Sequence, residues 1–278
     1  MAQQSVAILH PGEMGSMIGA RLRDKGLRVV WASRGRGEAT RRRADKAGLE
    51  DRKTLAEALS AGDVALAVCP PHGALDLARE VAAQKFRGVY VDANAVSPNT
   101  SRSIGKIIES GGASYVDGGI VGPPPVPGGS TRLYLSGAGA RDAAALLASG
   151  PLEAIPLDGP VGAASAFKVC FAAWNKNAVM LLACIRALAR REGVEEALLA
   201  DWRRSDPAVF KRLDAVAGQS RKAWRWIGEM EESAATFEGA GLPGGYARAS
   251  LEVCRRLAPF KDADPPPALA DILRAVIS

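Results

Sequence analysis

One short segment near the N-terminus constrains the fold of this chain more than any other. Residues 6–9 form an apolar run typical of a buried strand, and the glycine-rich segment 10–19 follows directly. Within and after that segment, apolar side chains recur every four residues, at Met14, Ile18 and Leu22. This spacing predicts a helix with one apolar face that ends near Gly26. A strand, a tight turn and a helix are therefore expected in succession.

The turn has the composition of a loop that holds a pyrophosphate. Gly12 allows the backbone to approach a phosphate, while Gly15 and Gly19 allow the helix to pack closely on the strand. Unpaired N–H groups at the helix start, together with the helix dipole, favour an anion there. Because the turn joins a strand to a helix, we predict that Gly12, Glu13, Met14 and Gly15 contact a dinucleotide. An ordinary strand-to-helix turn is the alternative.

Short β-like runs alternate with helical stretches through the first half of the chain. Further strands are predicted at residues 27–31, 64–68, 89–91 and 132–135. This alternation predicts an α/β fold with a doubly wound parallel sheet, that is, a Rossmann domain. From about Gly159 the sequence is helix-friendly and carries no further strand signal. We therefore predict a dinucleotide-binding domain over residues 1–157 and an all-helical substrate and dimerisation domain over residues 158–278.

The residues after the second predicted strand indicate which dinucleotide is bound. Proteins that bind NAD place an acidic residue there to accept the ribose hydroxyls. This chain has Ser33, Arg34 and Arg36 instead. A hydroxyl and guanidinium groups bind a 2′-phosphate through charge-assisted hydrogen bonds, whereas a carboxylate repels it. We predict NADP(H) rather than NAD as the cofactor, the alternative being that both arginines are merely solvated.

Composition narrows the class of protein further. Of 278 residues, 47% are apolar and 24% are charged, which is typical of a globular chain and excludes a disordered or fibrous one. The net charge of +6 favours an anionic partner. The basic cluster at residues 34–46 has no interleaved aromatic residues, so we expect a phosphate-bearing small molecule and no nucleic acid.

The cysteines and the apolar runs bear on location. The cysteines lie far apart without a CxxC pair, at Cys69, Cys170, Cys184 and Cys254. This spacing argues against a metal site or a disulfide framework and predicts a reducing, cytoplasmic environment. No run approaches the length of uninterrupted apolar residues that a membrane span needs, and the first residues do not read as a signal peptide. We expect no membrane partner.

These motifs resemble those of the β-hydroxyacid dehydrogenase and 6-phosphogluconate dehydrogenase superfamily over most of the chain. The turn is similar to that family's G-x-G-x-M-G sequence, with His10 in place of the first glycine. Cys69, Pro70 and Pro71 resemble the family's loop after the fourth strand, which passes under the cofactor. Asn94 lies in a segment similar to the one that lines the nicotinamide ribose. The resemblance implies that Cys69, Pro70, Pro71 and Asn94 bind the cofactor.

The helical half carries a second part of the resemblance. Residues 159–168 resemble the family's G-x-x-G-x-x-x-K pattern, whose lysine is catalytic, and this implies that Lys168 is the catalytic residue. Segments 131–137 and 229–232 resemble the subgroup that has a helical C-terminal domain related to that of phosphogluconate dehydrogenases.

Two positions depart from the family pattern. Residues 117–123 correspond to the family's D-x-P-V-S-G-G segment, which holds the substrate carboxylate, and Val121 stands in place of its serine. The family's asparagine four residues after the lysine is Ala172 here. Both changes remove polar contacts to a small hydroxy acid. We therefore expect a larger or less polar substrate beside Val121, Gly122 and Pro123, where a proline-rich lip follows.

Lys168 lies in a stretch that is apolar on nearly every side. A buried unpaired ammonium is costly, so the side chain should face a cleft or a partner. At regular helical spacing Ser165, Lys168, Ala172 and Asn175 form one stripe, which places Asn175 at the far end of a substrate. The alternative is a lysine that extends to solvent or pairs with an acid.

The sequence as a whole predicts an NADPH-dependent oxidoreductase that reduces a carbonyl or oxidises a β-hydroxy compound, with Lys168 as general acid and base. Imine reduction on the same scaffold and a non-catalytic NADP-binding protein remain the alternatives. Because the helix after Gly159 is apolar all round, it should be buried on every side, which favours a homodimer.

Overall fold

A computed structural model describes residues 4–277. The chain divides into two compact units between Val169 and Cys170. The domain boundary expected after Leu157 stays a prediction. Within the first unit, Asp117 accepts hydrogen bonds from Gly162 and Ser165, which ties the start of the following helix to the sheet.

The first unit is built on an eight-stranded sheet in the order β3-β2-β1-β4-β5-β6-β7-β8. The strands are β1 (Ser5–Ile8), β2 (Arg28–Trp31), β3 (Glu50–Asp51), β4 (Val64–Ala67), β5 (Val89–Asp92), β6 (Ser114–Val121), β7 (Thr131–Ser136) and β8 (Leu152–Pro156). The first six are parallel, β7 runs antiparallel to β6, and β8 is parallel to β7. The predicted Rossmann arrangement with a helical C-terminal part is confirmed.

Six helices connect these strands. They are α1 (Glu13–Asp24), α2 (Glu38–Lys46), α3 (Leu55–Ser60), α4 (Ala74–Ala83), α5 (Pro98–Gly111) and α6 (Ala140–Leu147). Helix α5 begins at a capping residue: the Ser97 hydroxyl accepts from the Thr100 N–H, and Pro98 occupies the first helical position. The helix ends at Gly112, whose φ of 96° is left-handed and favours glycine.

The sheet is covered on both faces by separate apolar layers. In β1, Val6 and Ile8 belong to one layer, and Ala7 and Leu9 belong to the other. Such two-sided burial is why the parallel strands are near-continuous apolar runs in the sequence rather than alternating ones. Burial on both faces holds the strand ends in place, and with them the loops at the carboxyl edge of the sheet.

The second unit is helical. A continuous helix begins in the first unit as α7 (Ala163–Ala172), passes through a π-helical segment (Ala173–Asn177) and continues as α8 (Ala178–Arg191). It is followed by α9 (Glu195–Ser205), α10 (Phe210–Ser220), α11 (Ala223–Gly239), α12 (Gly245–Leu257) and α13 (Leu269–Ile277). The core of this unit contains Met180, Val216, Met230, Cys254 and Ile272.

The helix over residues 163–191 is long and apolar enough to cross a membrane by length and composition alone, although only 33% of its most apolar window is buried. The expectation of no candidate span is therefore too simple. The helix is interrupted by charged residues but retains a high mean hydropathy because alanine, leucine and valine dominate it. A core helix of a soluble protein meets the same criterion.

Each strand predicted from an apolar run is present within a residue or two of its expected bounds. Three strands were not predicted: β3, β6 and β8. Strand β3 is only two residues long, and β6 contains the pair Gly118 and Gly119, which is unfavourable in a strand unless another element approaches closely. Strand β8 contains a proline at its end, which lies at the edge of the sheet.

Candidate functional site

The turn between β1 and α1 leaves open space beside one glycine and none beside another. A Cβ atom on Gly12 would meet no heavy atom within 4 Å. A Cβ on Gly15 would lie 2.3 Å from the His10 carbonyl oxygen, and one on Gly19 would lie 2.8 Å from Leu49. Gly15 is therefore needed for the close approach of α1 to the backbone that follows β1, whereas a side chain at Gly19 would displace the Leu49 side chain. Gly12 caps α1 and faces free volume at the helix N-terminus.

The other two predicted residues of this turn differ in exposure. Glu13 is the first residue of α1 and is exposed, whereas Met14 is half-buried and packs against the core layer. Glu13 thus presents polar surface beside the open volume. Met14 supports the turn from behind.

A histidine and an arginine meet above the end of β1. The Arg36 guanidinium donates to His10 Nε2 at 2.5 Å and to the Leu9 carbonyl oxygen at 3.4 Å. Burial first, and then the charge of Arg36, lower the pKa of His10 to about 4. Two buried nitrogens of this pair, His10 Nδ1 and Arg36 Nε, have no hydrogen-bond partner within the described residues.

The residues after β2 form a tight turn with basic side chains. Ser33 is buried, and its hydroxyl bonds to Asp51 at the end of the neighbouring β3. Arg34 is exposed. Arg41 donates to the backbone oxygens of Ser33 and Arg36, each at 3.1 Å. A third arginine therefore holds this turn, and no sequence motif indicated this role.

The ends of β4 and β5 are joined through Asn94. The Cys69 N–H donates to Asn94 Oδ1 at 2.5 Å, and the Asn94 N–H donates to Asp92 Oδ1 at 2.9 Å. Asn94 is buried, and its Nδ2 has no partner among the described residues. Pro70 is exposed, and Pro71 begins a short helical turn beside them. The Asn94 side chain is therefore held at its Oδ1 atom, and its Nδ2 atom is a donor without a partner among the described residues.

Cys69 is not a reactive thiol in this setting. Burial and the nearby Asp92 raise its pKa to about 12, against the opposing effect of the Arg36 charge. The thiol therefore stays protonated at neutral pH. The effect of Arg36 also indicates that its cation lies near the ends of both β1 and β4.

Two buried carboxylates face each other on adjacent strands. Asp92 and Asp117 are register partners at the end of β5, and each is 1% exposed. Burial raises the pKa of Asp92 to about 7, and the charge of Asp117 contributes to the rise. The Tyr115 hydroxyl lies 3.4 Å from Asp92, and Ser101 bridges Tyr115 and Asp117.

Asp117 anchors the helix that carries Lys168. Its oxygens accept from the Gly162 and Ser165 N–H groups, each at 3.0 Å, and from the Ser165 hydroxyl at 2.6 Å. Ser101 and Ser136 donate to the same carboxylate. A negative charge at a helix N-terminus is favourable because it complements the dipole and satisfies unpaired N–H groups. The first turn of α7 is thereby fixed to β6.

Lys168 lies over Gly119 of β6. A Cβ atom on Gly119 would lie 2.8 Å from Lys168 Cβ and 2.9 Å from the Ala164 carbonyl oxygen. Only glycine therefore permits this close approach of α7 to the strand. Since Asp117 pairs with the last residue of β5, Gly119 lies beyond that end, at the carboxyl edge of the sheet. Open α/β sheets bind their ligands at this edge.

The predicted substrate residues at the end of β6 differ from one another. Val121 is buried, whereas Gly122 and Pro123 are exposed. Only the latter two offer surface to a ligand within this unit. The following loop is held by the Thr131 hydroxyl, which donates to the Pro123 carbonyl oxygen at 2.6 Å. This contact supports the expected rigid lip.

In the second unit, Asn175 lies within the π-helical segment and donates from Nδ2 to the Phe171 carbonyl oxygen at 2.9 Å. The predicted stripe shared with Lys168 assumed regular α-helical spacing. The π segment does not keep that spacing, because each of its turns takes up more residues than an α turn. The stripe is therefore corrected, and the role of Asn175 toward a substrate stays a prediction.

The same π segment places a largely buried ion pair in the helical unit. Lys176 donates to Glu229 of α11, and the two side chains are only 15% and 18% exposed. The Lys176 ammonium also lies 5.0 Å from the centre of the Trp226 ring. The sequence pointed to the region around Glu229 but not to this pair, since partners so far apart in sequence leave no local signal.

Comparisons with known proteins agree with this architecture. The sequence family DUF1932, a domain of unknown function, matches residues 189–257. A relative described as an uncharacterized 28.5 kDa protein in the 7S RNA 5′ region of Methanothermus fervidus is 28% identical over 227 residues, spanning 80% of this chain and 87% of that protein.

Solved structures share the fold over nearly the whole chain. One is a conserved protein of unknown function noted for its similarity with 3-hydroxyacid dehydrogenases (TM-score 0.69, 26% identity, 91% of this chain and 98% of that one). Another is 3-hydroxyisobutyrate dehydrogenase from Mycobacterium tuberculosis (TM-score 0.74, 16% identity, 100% of both chains). An imine reductase from Bacillus cereus also matches (TM-score 0.57, 19% identity, 98% of both chains). The predicted resemblance to the β-hydroxyacid dehydrogenase-like superfamily is confirmed.

Proposed function

We propose that this protein is an NADP(H)-dependent oxidoreductase that interconverts a carbonyl and a β-hydroxy compound, with Lys168 as the general acid and base. The observation that carries the proposal is the placement of Lys168. It is held over Gly119 at the carboxyl edge of the same sheet that presents the β1–α1 turn. An anchored lysine and a dinucleotide loop at one edge of one unit fit an oxidoreductase.

The residues at this edge fit a dinucleotide. Gly12 borders open volume at a helix N-terminus, which suits a pyrophosphate. Three buried nitrogens along the edge lack partners among the described residues, namely His10 Nδ1, Arg36 Nε and Asn94 Nδ2. Buried donors are normally satisfied, so an extended ligand rich in acceptor oxygens accounts for all three. Gly12, Glu13, Met14, Gly15, Arg34, Arg36, Cys69, Pro70, Pro71 and Asn94 would hold it.

NADP(H) is favoured over NAD by the basic residues after β2. Arg34 and Arg36 carry the charge, and Arg41 fixes the turn that bears them. Ser33 contributes less than expected, because its hydroxyl already bonds to Asp51. The Asp51 carboxylate that bonds to Ser33 is itself paired with Lys53, which reduces its repulsion of a phosphate.

The chain's own chemistry centres on proton transfer by Lys168. When bound, the nicotinamide supplies or accepts the hydride. In the reductive direction the Lys168 ammonium stabilises the charge that develops on the carbonyl oxygen and delivers a proton to it. In the oxidative direction the neutral amine takes the hydroxyl proton. Asp117 keeps the helix bearing Lys168 in register with the sheet, so the proton donor is positioned before substrate binds.

Imine reduction is the second candidate, because imine reductases are among the structures that share the fold. The same ammonium can deliver a proton to the imine nitrogen while hydride adds to the imine carbon. A non-catalytic NADP-binding protein is the third. The substrate is expected beside Gly122 and Pro123, with Asn175 as a further contact.

We also propose a cytoplasmic homodimer. Three large apolar side chains on the long helix, Trp174, Leu181 and Leu188, are 64%, 59% and 60% exposed. Leu181 and Leu188 lie seven residues apart within α8, a spacing that is typical of a seam between helices. Trp174 lies in the π-helical segment, where that spacing does not apply. A second copy of this chain would cover them.

The test is NADPH oxidation by the purified protein against a panel of aldehydes, keto acids and cyclic imines. We expect turnover with a carbonyl substrate, and a decrease of about 10²–10⁴-fold in kcat for Lys168→Met. Lys106→Met, at an exposed lysine of α5, is the matched control and should retain full activity.

Binding separates the alternatives. NADPH affinity measured by fluorescence titration should be nearly unchanged in Lys168→Met, because the lysine acts on the substrate. Turnover of cyclic imines alone would favour the second candidate. Tight NADPH binding without oxidation of any substrate would favour the binding protein.

A further inference from the structure

We infer that His10 is a specificity-determining residue that fixes Arg36 to recognise a phosphate group of the cofactor. The inference rests on the proposed function and deepens it. His10 occupies the place of the first glycine in the dinucleotide-binding pattern that this turn resembles. A glycine there has no side chain with which to contact a neighbouring arginine, so this contact belongs to the present chain.

The geometry defines the protonation state of the pair. A guanidinium has only donors, so His10 Nε2 must be the acceptor in its 2.5 Å contact with Arg36. The imidazole is then neutral and carries its proton on Nδ1. Burial and the Arg36 charge hold the pKa of His10 at about 4, which keeps the ring neutral at physiological pH. The pair therefore bears one positive charge and no internal repulsion.

Two donors of the pair remain unused within the described residues. His10 Nδ1–H and Arg36 Nε–H are both buried and have no acceptor. Buried N–H groups normally have partners, and leaving two of them unpaired in one contacting pair is unfavourable. A phosphate offers several oxygens to neighbouring donors and a negative charge to the guanidinium. It is the ligand chemistry that fits both donors and the charge.

Two phosphate groups of a dinucleotide are candidates, the 2′-phosphate and the pyrophosphate. We favour the 2′-phosphate, because Arg36 follows β2, the strand whose end reads the adenosine ribose in this fold. Arg41 donates to the Arg36 backbone oxygen and further fixes that turn. In this arrangement His10 selects NADP(H) indirectly, by holding the arginine that contacts the phosphate.

The experiment compares the dissociation constants for NADPH and NADH in six proteins. These are the wild type, His10→Gly, His10→Gln, Arg36→Ala, the double variant of His10→Gly with Arg36→Ala, and Arg42→Ala. His10→Gly removes the acceptor, whereas His10→Gln retains an acceptor at a similar reach. Arg42→Ala is the matched control, since Arg42 is an exposed arginine of α2 whose partner is Glu38.

We expect His10→Gly and Arg36→Ala each to weaken NADPH binding by about tenfold or more, and NADH binding by much less. The double variant should be no weaker than either single one, because the two residues act as a unit. His10→Gln and Arg42→Ala should bind both cofactors as the wild type does. Thermal unfolding of each variant confirms that it is folded.

Three outcomes would overturn the inference or its foundation. Unchanged NADPH affinity in a folded His10→Gly variant refutes the role of His10. Equal weakening of NADPH and NADH places the pair at the pyrophosphate and refutes selection by it. A wild type that binds neither dinucleotide refutes the proposed function itself, which is a distinct result.

Discussion

Asp92 and Asp117 differ in the number of hydrogen bonds that their carboxyl groups accept. Asp117 accepts hydrogen bonds from three serine hydroxyls and two backbone N–H groups. Asp92 has the Asn94 N–H and a long contact to Tyr115, so burial dominates and raises its pKa to about 7. The two carboxyl groups on adjacent strands therefore have different roles. Asp117 anchors a helix through hydrogen bonds, and Asp92 is the group whose pKa burial raises.

Stability should therefore depend on pH through Asp92. A carboxyl group whose pKa is raised in the folded state stabilises the fold fully below its unfolded value, 3.8, and loses this contribution as pH rises through about 7. Asp92→Asn keeps an oxygen for the Asn94 N–H and cannot ionise. We expect the variant to gain stability relative to the wild type between pH 4 and pH 7, by at most about 4 kcal/mol.

Urea denaturation of both proteins at intervals from pH 4 to pH 8 measures this difference. Taking the difference between the two proteins removes contributions from other groups, including His10. His10 acts in the opposite direction because its pKa is lowered. A difference in unfolding free energy that stays constant over this range would contradict the assignment to Asp92.

Single residues of the site were predictable where their chemistry is local. The close packing at Gly15 follows from a motif in which spacing fixes geometry. The roles of Gly12 toward a phosphate and of Lys168 toward a substrate stay predictions. The roles of Asp117, Gly119 and Arg41 were not predictable, because each depends on a partner brought close by the sheet or by a turn. His10 was seen only as a departure from a pattern, and its partner is visible only in three dimensions.

At the scale of elements, the helix over residues 163–191 changes character along its length. Its first turn is anchored to β6 through Asp117. Its middle is a π-helical segment, and such segments are frequent at functional sites. Within that segment Lys176 pairs with Glu229, largely out of solvent. The Lys176–Glu229 ion pair thus links the π-helical segment to α11 where the backbone departs from α-helical geometry.

Removing one partner of this pair should be costly. Lys176→Met removes the positive charge that offsets the desolvation of the Glu229 carboxylate. We therefore expect a loss of about 1–3 kcal/mol in unfolding free energy, which is less than for a fully buried pair. The control is Arg274→Met, which removes an exposed partner of Asp271 on α13 and should cost under about 1 kcal/mol. Denaturant unfolding measures both.

A double variant completes the comparison. Lys176→Met with Glu229→Gln should be less harmful than the sum of the single changes, since each removes the same interaction. If Lys176→Met is no more destabilising than Arg274→Met, the pair contributes nothing beyond a surface contact.

Elements were predictable from sequence to the extent that burial dictates their pattern. Strands β1, β4 and β5 are buried on both faces and appear as apolar runs. Strand β6 was not predicted because Gly118 and Gly119 have low strand propensity. Glycine is present at these positions because other elements approach the strand closely there. The π segment was missed because the sequence around Asn175 is compatible with an ordinary helix.

At the scale of the whole molecule, the exposed apolar side chains of Trp174, Leu181 and Leu188 have a consequence for assembly. We expect the purified protein to be a dimer by light scattering coupled to size-exclusion chromatography. Changing all three residues to serine should shift it toward the monomer, because the apolar area that drives association is lost. Leu242→Ser, at an exposed leucine between α11 and α12, is the control and should leave the dimer intact.

Two other results would count against a dimer seam. A monomeric wild type would show that a second copy of the chain does not cover Trp174, Leu181 and Leu188. Recovery of the wild type only in the membrane fraction, and its release by detergent, would show that a bilayer covers the helix instead.

A crystal structure of the NADP⁺ complex would decide whether Lys168 faces the reactive carbon of a bound nicotinamide. We predict that the phosphates lie at Gly12 and Arg36, and that the Lys168 Nζ is directed at the space above the nicotinamide C4. A complex in which this nitrogen points into solvent, with the nicotinamide face closed by other side chains, would contradict this prediction.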